Sequence, residues 1–181
     1  YEALGIPIVG EITGEGTLEG GDCFWLNSST LAVGRGFRSN ENGIHQMRDI
    51  LSDLDINVVQ FDLPPQDDPD ACLHLMSVVS PLDHDLALIY EPLMPNNLQG
   101  VLKDFGYDLL SAPVNEFELS HGLSLNVLAV SERSVIAIEG FDETRGLMEN
   151  AGCVVSTFPG DELCIPCEGG PTCLTRPVLR K

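Results

Sequence analysis

Basic residues are scarce in this chain. Nine face 28 acidic ones, only two of the nine are lysines, and the formal charge is −19. With no basic cluster, nucleic acids and other polyanions are excluded as partners, because phosphate binding relies on such clusters. An acidic surface suits a cationic small molecule, although ordinary solvation of the surface accounts for most of the charge. The low lysine share fits an acid-adapted or salt-tolerant proteome. Long apolar runs are missing too: none approaches the ~18–20 residues a membrane helix requires, so the chain reads as soluble with no membrane partner. It also begins at Tyr1 rather than methionine, and "IPIVGEI" already looks like strand interior, so an N-terminal part is expected to be absent, with any targeting signal it carried.

A second cysteine pair is missing as well. The six cysteines are Cys23, Cys72, Cys153, Cys164, Cys167 and Cys173. The first three stand in apolar runs, where a free cysteine acts as a small hydrophobe. The length and aliphatic content favour a reduced, cytoplasmic setting over a disulfide scaffold. Cys164-Ile165-Pro166-Cys167 resembles half a zinc clip, but a structural zinc site wants four ligands and only one such pair is present. No metal or other cofactor is expected. Cys173, at the mouth of a strand-like tail, could be packing, half a disulfide, a metal ligand or a nucleophile.

What is present is a repeat. "DCFWLN" and "TLAVG" read as two strands. A helix follows from about Asn40 to Leu54, with Ile44, Met47, Ile50, Leu51 and Leu54 on one face, and "INVVQFDL" returns as a strand. From Cys72 the order recurs: "CLHLMSVVS", "DLALIY", a helix from about Pro95 to Phe105, then "YDLLSAP". A third copy runs through "SLNVLAV", "SVIAIE", a helix from about Asp142 to Ala151 and "CVVSTF". A fourth starts at Cys173 and is cut off.

Modules near 22–63, 72–113, 124–158 and 173–181 thus recur at a period that argues for a repeat architecture. The expected fold is α/β: one catalytic domain over 1–181, built as a pseudo-symmetric ring of ββαβ modules. In such a ring equivalent positions converge on the axis, so the module starts should meet. They hold Glu19, Asp22, His74, Asn126 and Cys173. A nucleophilic cysteine needs its thiolate form, an imidazole near neutrality serves as acid and base, and a carboxylate can orient that imidazole. Singly, Glu19 reads equally as a turn residue, His74 as a core histidine and Cys173 as a buried thiol. Asp22 and Asn126 are read as stabilising backbone turns.

Five stretches stand in register with the repeat: "LEGGD" (18–22), "GFRSNENG" (36–43), "LHLMS" (73–77), "LN" (125–126) and "GGPTCLTRP" (169–177). In this order they resemble the guanidine-modifying pentein enzymes, namely the dimethylarginine dimethylaminohydrolases, arginine deiminases and amidinotransferases. The resemblance covers nearly the whole chain and implies a five-module α/β propeller with N-terminal module missing. It implies Cys173 as nucleophile, His74 as general acid–base, Glu19 as the carboxylate near His74 and the guanidinium, and Arg38 as ligand of a substrate α-carboxylate, with Arg35 close enough to compete. The family's aspartate two residues after the histidine is replaced by Met76, which favours the dimethylargininase branch.

The implied reaction is hydrolysis of an arginine-like guanidinium through a covalent thiouronium on Cys173, giving a citrulline-like product and an amine or ammonia. An amidinotransferase or arginine deiminase using the same residues, and a non-catalytic pentein binding protein, stay open. So do the leaving group and a homo-oligomeric state. "NEFELSHGLS" (115–124) is expected to be a loop that forms a lid, with His121 exposed on it.

Overall fold

The computed structural model describes residues 1–65 and 73–178. They fall into two compact units, Tyr1–His74 and Leu75–Lys181. Cys72, where the second repeat was expected to start, and the last three residues of the tail lie outside the described residues.

In the first unit β1 (Cys23–Asn27) and β2 (Thr30–Arg35) form an antiparallel hairpin. Asn27 Oδ1 accepts from the Ser29 backbone N–H at 2.9 Å, which sets the turn. Helix α1 (Glu41–Ser52) begins where it does because Asn40 caps it, its Oδ1 accepting from Gly43 N at 2.8 Å. Ile44 and Leu51 are buried and Met47 packs beside them on the apolar face. Gly43 has no side chain because one would run into the Thr17 carbonyl. β3 (Asn57–Asp62) then pairs parallel with β2, Thr30 opposite Asn57 through Arg35 opposite Asp62. β2 is therefore central, and its residues are buried up to Gly34.

The second unit repeats this order twice. β4 (Val79–Pro81), β5 (Leu86–Ile89), α2 (Leu98–Asp104) and β6 (Asp108–Ser111) make one copy. β7 (Leu128–Ser131), β8 (Ser134–Ile138), α4 (Asp142–Asn150) and β9 (Val154–Phe158) make the other. Between them lies α3 (Val114–Leu119). In both sheets the first pair is antiparallel and the returning strand parallel, with the middle strand central. The fold is thus mixed α/β with three small sheets of one design.

One core joins the two copies of this unit. Leu88, Leu125, Val127 and Met148 are almost wholly buried in it, and each large aliphatic contributes roughly 1.5–3 kcal/mol of burial. Ser80 Oγ, buried, donates to the Leu125 carbonyl at 2.6 Å. Arg133 reaches Asp83 and Asp85 at 3.1 and 2.9 Å and the Ala151 carbonyl at 2.8 Å. No helix of the described residues is long and apolar enough to cross a membrane.

Three expectations need correction. Helix α2 starts at Leu98 rather than Pro95, whose carbonyl accepts from Leu98 N just ahead of it. "CLHLMSVVS" is not a strand throughout: Leu75–Ser77 is a 3-10 turn and only Val79–Pro81 pairs. Residues 115–124 are not an open loop. Phe117 of α3 stacks on Tyr90 at 3.5 Å, and the Glu116 carboxylate caps α4 by accepting from Glu143 N and Thr144 N at 2.9 and 2.8 Å. His121 is exposed beyond that helix.

Candidate active site

Each sheet is preceded by a short helical turn, and the candidate residues flank these turns. In the first unit the turn is Gly20–Asp22, with Glu19 as its cap. Asp22 is 1% exposed, yet it is not idle: its Oδ2 accepts from Ser39 Oγ at 2.5 Å and its Oδ1 lies 3.3 Å from His74 Nδ1. Glu19 Oε2 lies 3.4 Å from the other ring nitrogen, Nε2. The imidazole is thereby set between a buried carboxylate and a half-exposed one. Gly21 makes the room, since a Cβ there would stand 2.9 Å from His74 Cγ. Ser39 completes the corner, its Oγ accepting from Glu19 N at 2.9 Å.

Arg38 turns onto the same carboxylate, with Nε and Nη2 both 2.6 Å from Glu19 Oε1. Glu19 is therefore shared by an arginine and the histidine. Arg35 has a different commitment. The parallel register of β2 and β3 places it opposite Asp62, which it grips through Nε and Nη2 at 2.8 and 2.9 Å, while Nη1 meets Glu41 at 3.0 Å. That grip holds the Asp62 carboxyl below its ordinary range.

In the second unit Cys173 stands on a one-turn helix, α5 (Pro171–Leu174), rather than at the opening of a strand. Its exposed Sγ accepts from Asn126 Nδ2 at 3.0 Å. Asn126 follows the turn Leu123–Leu125, and its Oδ1 accepts from Thr172 N and Oγ1 at 2.9 and 2.5 Å. One amide thus fixes the backbone of the turn and aims an N–H at the sulfur, an arrangement that suits an accepting thiolate. Met76 sits half-buried in the turn Leu75–Ser77.

Gly170 is what lets Asn126 approach, because a Cβ there would stand 2.5 Å from Asn126 Cγ and 2.7 Å from its Cβ. A collision that close to the asparagine backbone cannot be relieved by rotating the end of a side chain. Gly170→Ala is expected to cost about 1–3 kcal/mol through overpacking. It should also slow alkylation of Cys173 at neutral pH, whereas a variant that is merely less stable would keep the wild-type rate once folded. Thermal unfolding and timed alkylation check both halves.

Sequence reasoning brought Glu19, His74 and Arg38 forward, and the structure places the three together; Cys173 it places beside Asn126. Asn126 does stabilise a turn, as read from the sequence, and it also meets Cys173 Sγ, while Asp22 lies against Ser39 and His74; their place at the module starts was the signal for these further contacts. Among the described residues one cluster has geometry for a cation, Asp83, His84 and Asp85, but both carboxylates are engaged by Arg133. A hydrogen bond and ion pair with Asp83 also raise His84 above its ordinary range.

The family model for arginine deiminase matches residues 5–108, more than half of the chain. The chain belongs to the arginine deiminase family. It is 26% identical to an arginine deiminase of Borrelia duttonii, over 91% of this chain and 47% of that protein. Dimethylarginine dimethylaminohydrolase of Pseudomonas aeruginosa, solved with citrulline, superposes with a TM-score of 0.70 at 23% identity, over 90% of this chain and 56% of the other. An amidinotransferase of saxitoxin biosynthesis from Microseira wollei gives 0.74 at 20% identity, over 89% and 47%. These superpositions show that the chain shares its mixed α/β fold with both enzymes. The chain spans about half the length of the curated relatives it matches.

Proposed function

We propose that this protein hydrolyses a guanidinium C–N bond of arginine or a methylated arginine, using Cys173, His74 and Glu19. The observation that carries the reading is His74 with a carboxylate oxygen within 3.4 Å of each ring nitrogen, in a chain of a guanidino-modifying family. The exposed sulfur with an amide donor on it supports the same reading.

In this reading the substrate cation docks against Glu19, and Arg38 takes a substrate α-carboxylate. The Cys173 thiolate attacks the central guanidino carbon. His74 donates its proton to the departing amine, which breaks the C–N bond and leaves an amidino group on sulfur. Water then attacks with His74 as base, the C–S bond breaks, and a ureido product and the thiolate are released. The modules belong to a closed five-membered α/β ring with one catalytic domain, working in the reducing cytoplasm on a small cationic substrate.

A haloacetamidine probe tests the assignment, because it combines the guanidinium shape with an electrophile. In the complete protein we expect one adduct, on Cys173, formed before the other five thiols react. Burial pushes the Cys153 and Cys164 thiols up, so both stay protonated and slow. Adduct mapping by mass spectrometry decides it, and equal labelling of all thiols would sink the assignment. Product analysis with an added amine separates transfer, which yields a new guanidino compound, from hydrolysis.

A further inference from the structure

The proposed reaction uses one thiol and leaves Cys164-Ile165-Pro166-Cys167 without a role. Residues 160–169 wind back on themselves: Ile165 N donates to Gly160 O at 3.0 Å, Cys167 N to Leu163 O at 3.1 Å, and Gly169 N to Cys164 O at 3.0 Å. Gly169 then lies against the candidate nucleophile. A Cβ on it would stand 3.3 Å from Cys173 Cβ, 3.9 Å from Cys173 Sγ and 3.7 Å from the Cys167 carbonyl oxygen. Gly169 therefore meets the Cys173 side chain on one side and the backbone carbonyls of Cys164 and Cys167 on the other.

We propose that Cys167 is the resolving thiol of a redox switch that closes a disulfide onto Cys173. Both thiols are free and exposed, so an oxidant and a reductant can reach them. A disulfide needs Cβ atoms roughly 3.5–4.5 Å apart. The intervening segment carries Gly169 and Gly170, and Glu168 adopts a left-handed φ of 51°, so the backbone between the two thiols is bent and has glycines at which it can adjust to reach that separation. Cys164 is the weaker candidate. It is 1% exposed, and burial, then the charges of Cys173 and Cys167, push its thiol up.

The chemistry needs a hydroperoxide as oxidant. The Cys173 thiolate attacks the peroxide, the O–O bond breaks, and a sulfenic acid and hydroxide form. The Cys167 thiolate then attacks the sulfenic sulfur, the S–O bond breaks, and the oxygen leaves as water with one further proton. The disulfide that results removes the nucleophile and takes its sulfur from Asn126. A dithiol reverses it by exchange, returning both thiols. The switch rests on the reading of Cys173 as nucleophile, but the crosslink itself can be tested without it.

The complete protein is treated with limiting hydrogen peroxide, alkylated, and cut after glutamate, since Glu168 separates Cys167 from Cys173. We expect the two fragments joined by a bond that dithiothreitol opens, with activity falling about tenfold or more and returning on reduction. Cys167→Ser should keep the starting activity, lose the crosslink, and become irreversibly inactivated as Cys173 oxidises past the sulfenic stage. Cys164→Ser should behave as wild type. A crosslink that persists in Cys167→Ser, or a bond confined to Cys164 and Cys167, overturns the proposal. A reduced protein that never turns over a guanidino substrate yet forms the Cys167–Cys173 bond would refute the enzymatic reading and leave the thiol pairing standing.

Discussion

Cys173→Ser in the complete protein should abolish ureido formation from arginine and its methylated forms, a loss on the order of 10⁴-fold or more in kcat. A serine hydroxyl would keep the amide contact from Asn126 that the sulfur makes at 3.0 Å, so position is preserved while nucleophilicity is lost. The backbone around it should not move. Thr172 remains tied to Asn126 Oδ1, and Thr175 Oγ1 still donates to the Pro171 carbonyl at 2.7 Å. Substrate binding should therefore survive, and KM or a direct Kd should change little while kcat collapses. A coupled assay for ureido product, with calorimetric titration of arginine into the variant, reads both. Turnover within tenfold of wild type would remove Cys173 from the reaction.

The repeat was legible because its elements are long enough to show a period. Val58 and Val59, Leu86–Ile89 and Val135–Ile138 are apolar runs of strand length, and each helix carries its apolar stripe. The short turns between modules were not legible. Leu73, Leu75 and Val78 read as strand because a single 3-10 turn buries one residue, Leu75, and leaves no period to detect. The six-residue helix after Pro113 failed to show for the same reason, with only Phe117 buried along its length.

The site divides along a similar line. Motif order pointed to Glu19, His74 and Cys173, but side-chain partners are properties of packing. That Asp22 loses nearly all solvent contact follows from Ser39, 17 residues on, closing over it. That Arg38 faces Glu19 depends on how the Gly36–Ser39 turn, closed by Gly36 N donating to Ser39 O at 3.0 Å, hands the side chain back across the unit. Neither is written in the local pattern of either segment.

Asp22→Asn should lower kcat by roughly 10²–10⁴-fold while leaving the fold in place. The carboxylate 3.3 Å from His74 Nδ1 can only accept, so its charge favours a proton on that nitrogen, while Nε2 faces the half-exposed Glu19. An asparagine can present its NH₂ to the ring instead, which favours the tautomer with its lone pair on Nδ1 and its proton on Nε2. A general base with its proton on the wrong nitrogen cannot take one from water. The isostere also keeps an acceptor for Ser39 Oγ, so the corner that positions Glu19 N stays closed. Asp22→Ala should do worse, since it leaves Ser39, wholly buried, without its acceptor at about 1–3 kcal/mol of stability. Nitrogen NMR of labelled histidine distinguishes orientation from simple destabilisation. The proton should move from Nδ1 toward Nε2 in Asp22→Asn while the melting temperature stays near that of wild type. An unchanged tautomer together with unchanged kcat would show that the buried carboxylate serves the turn alone.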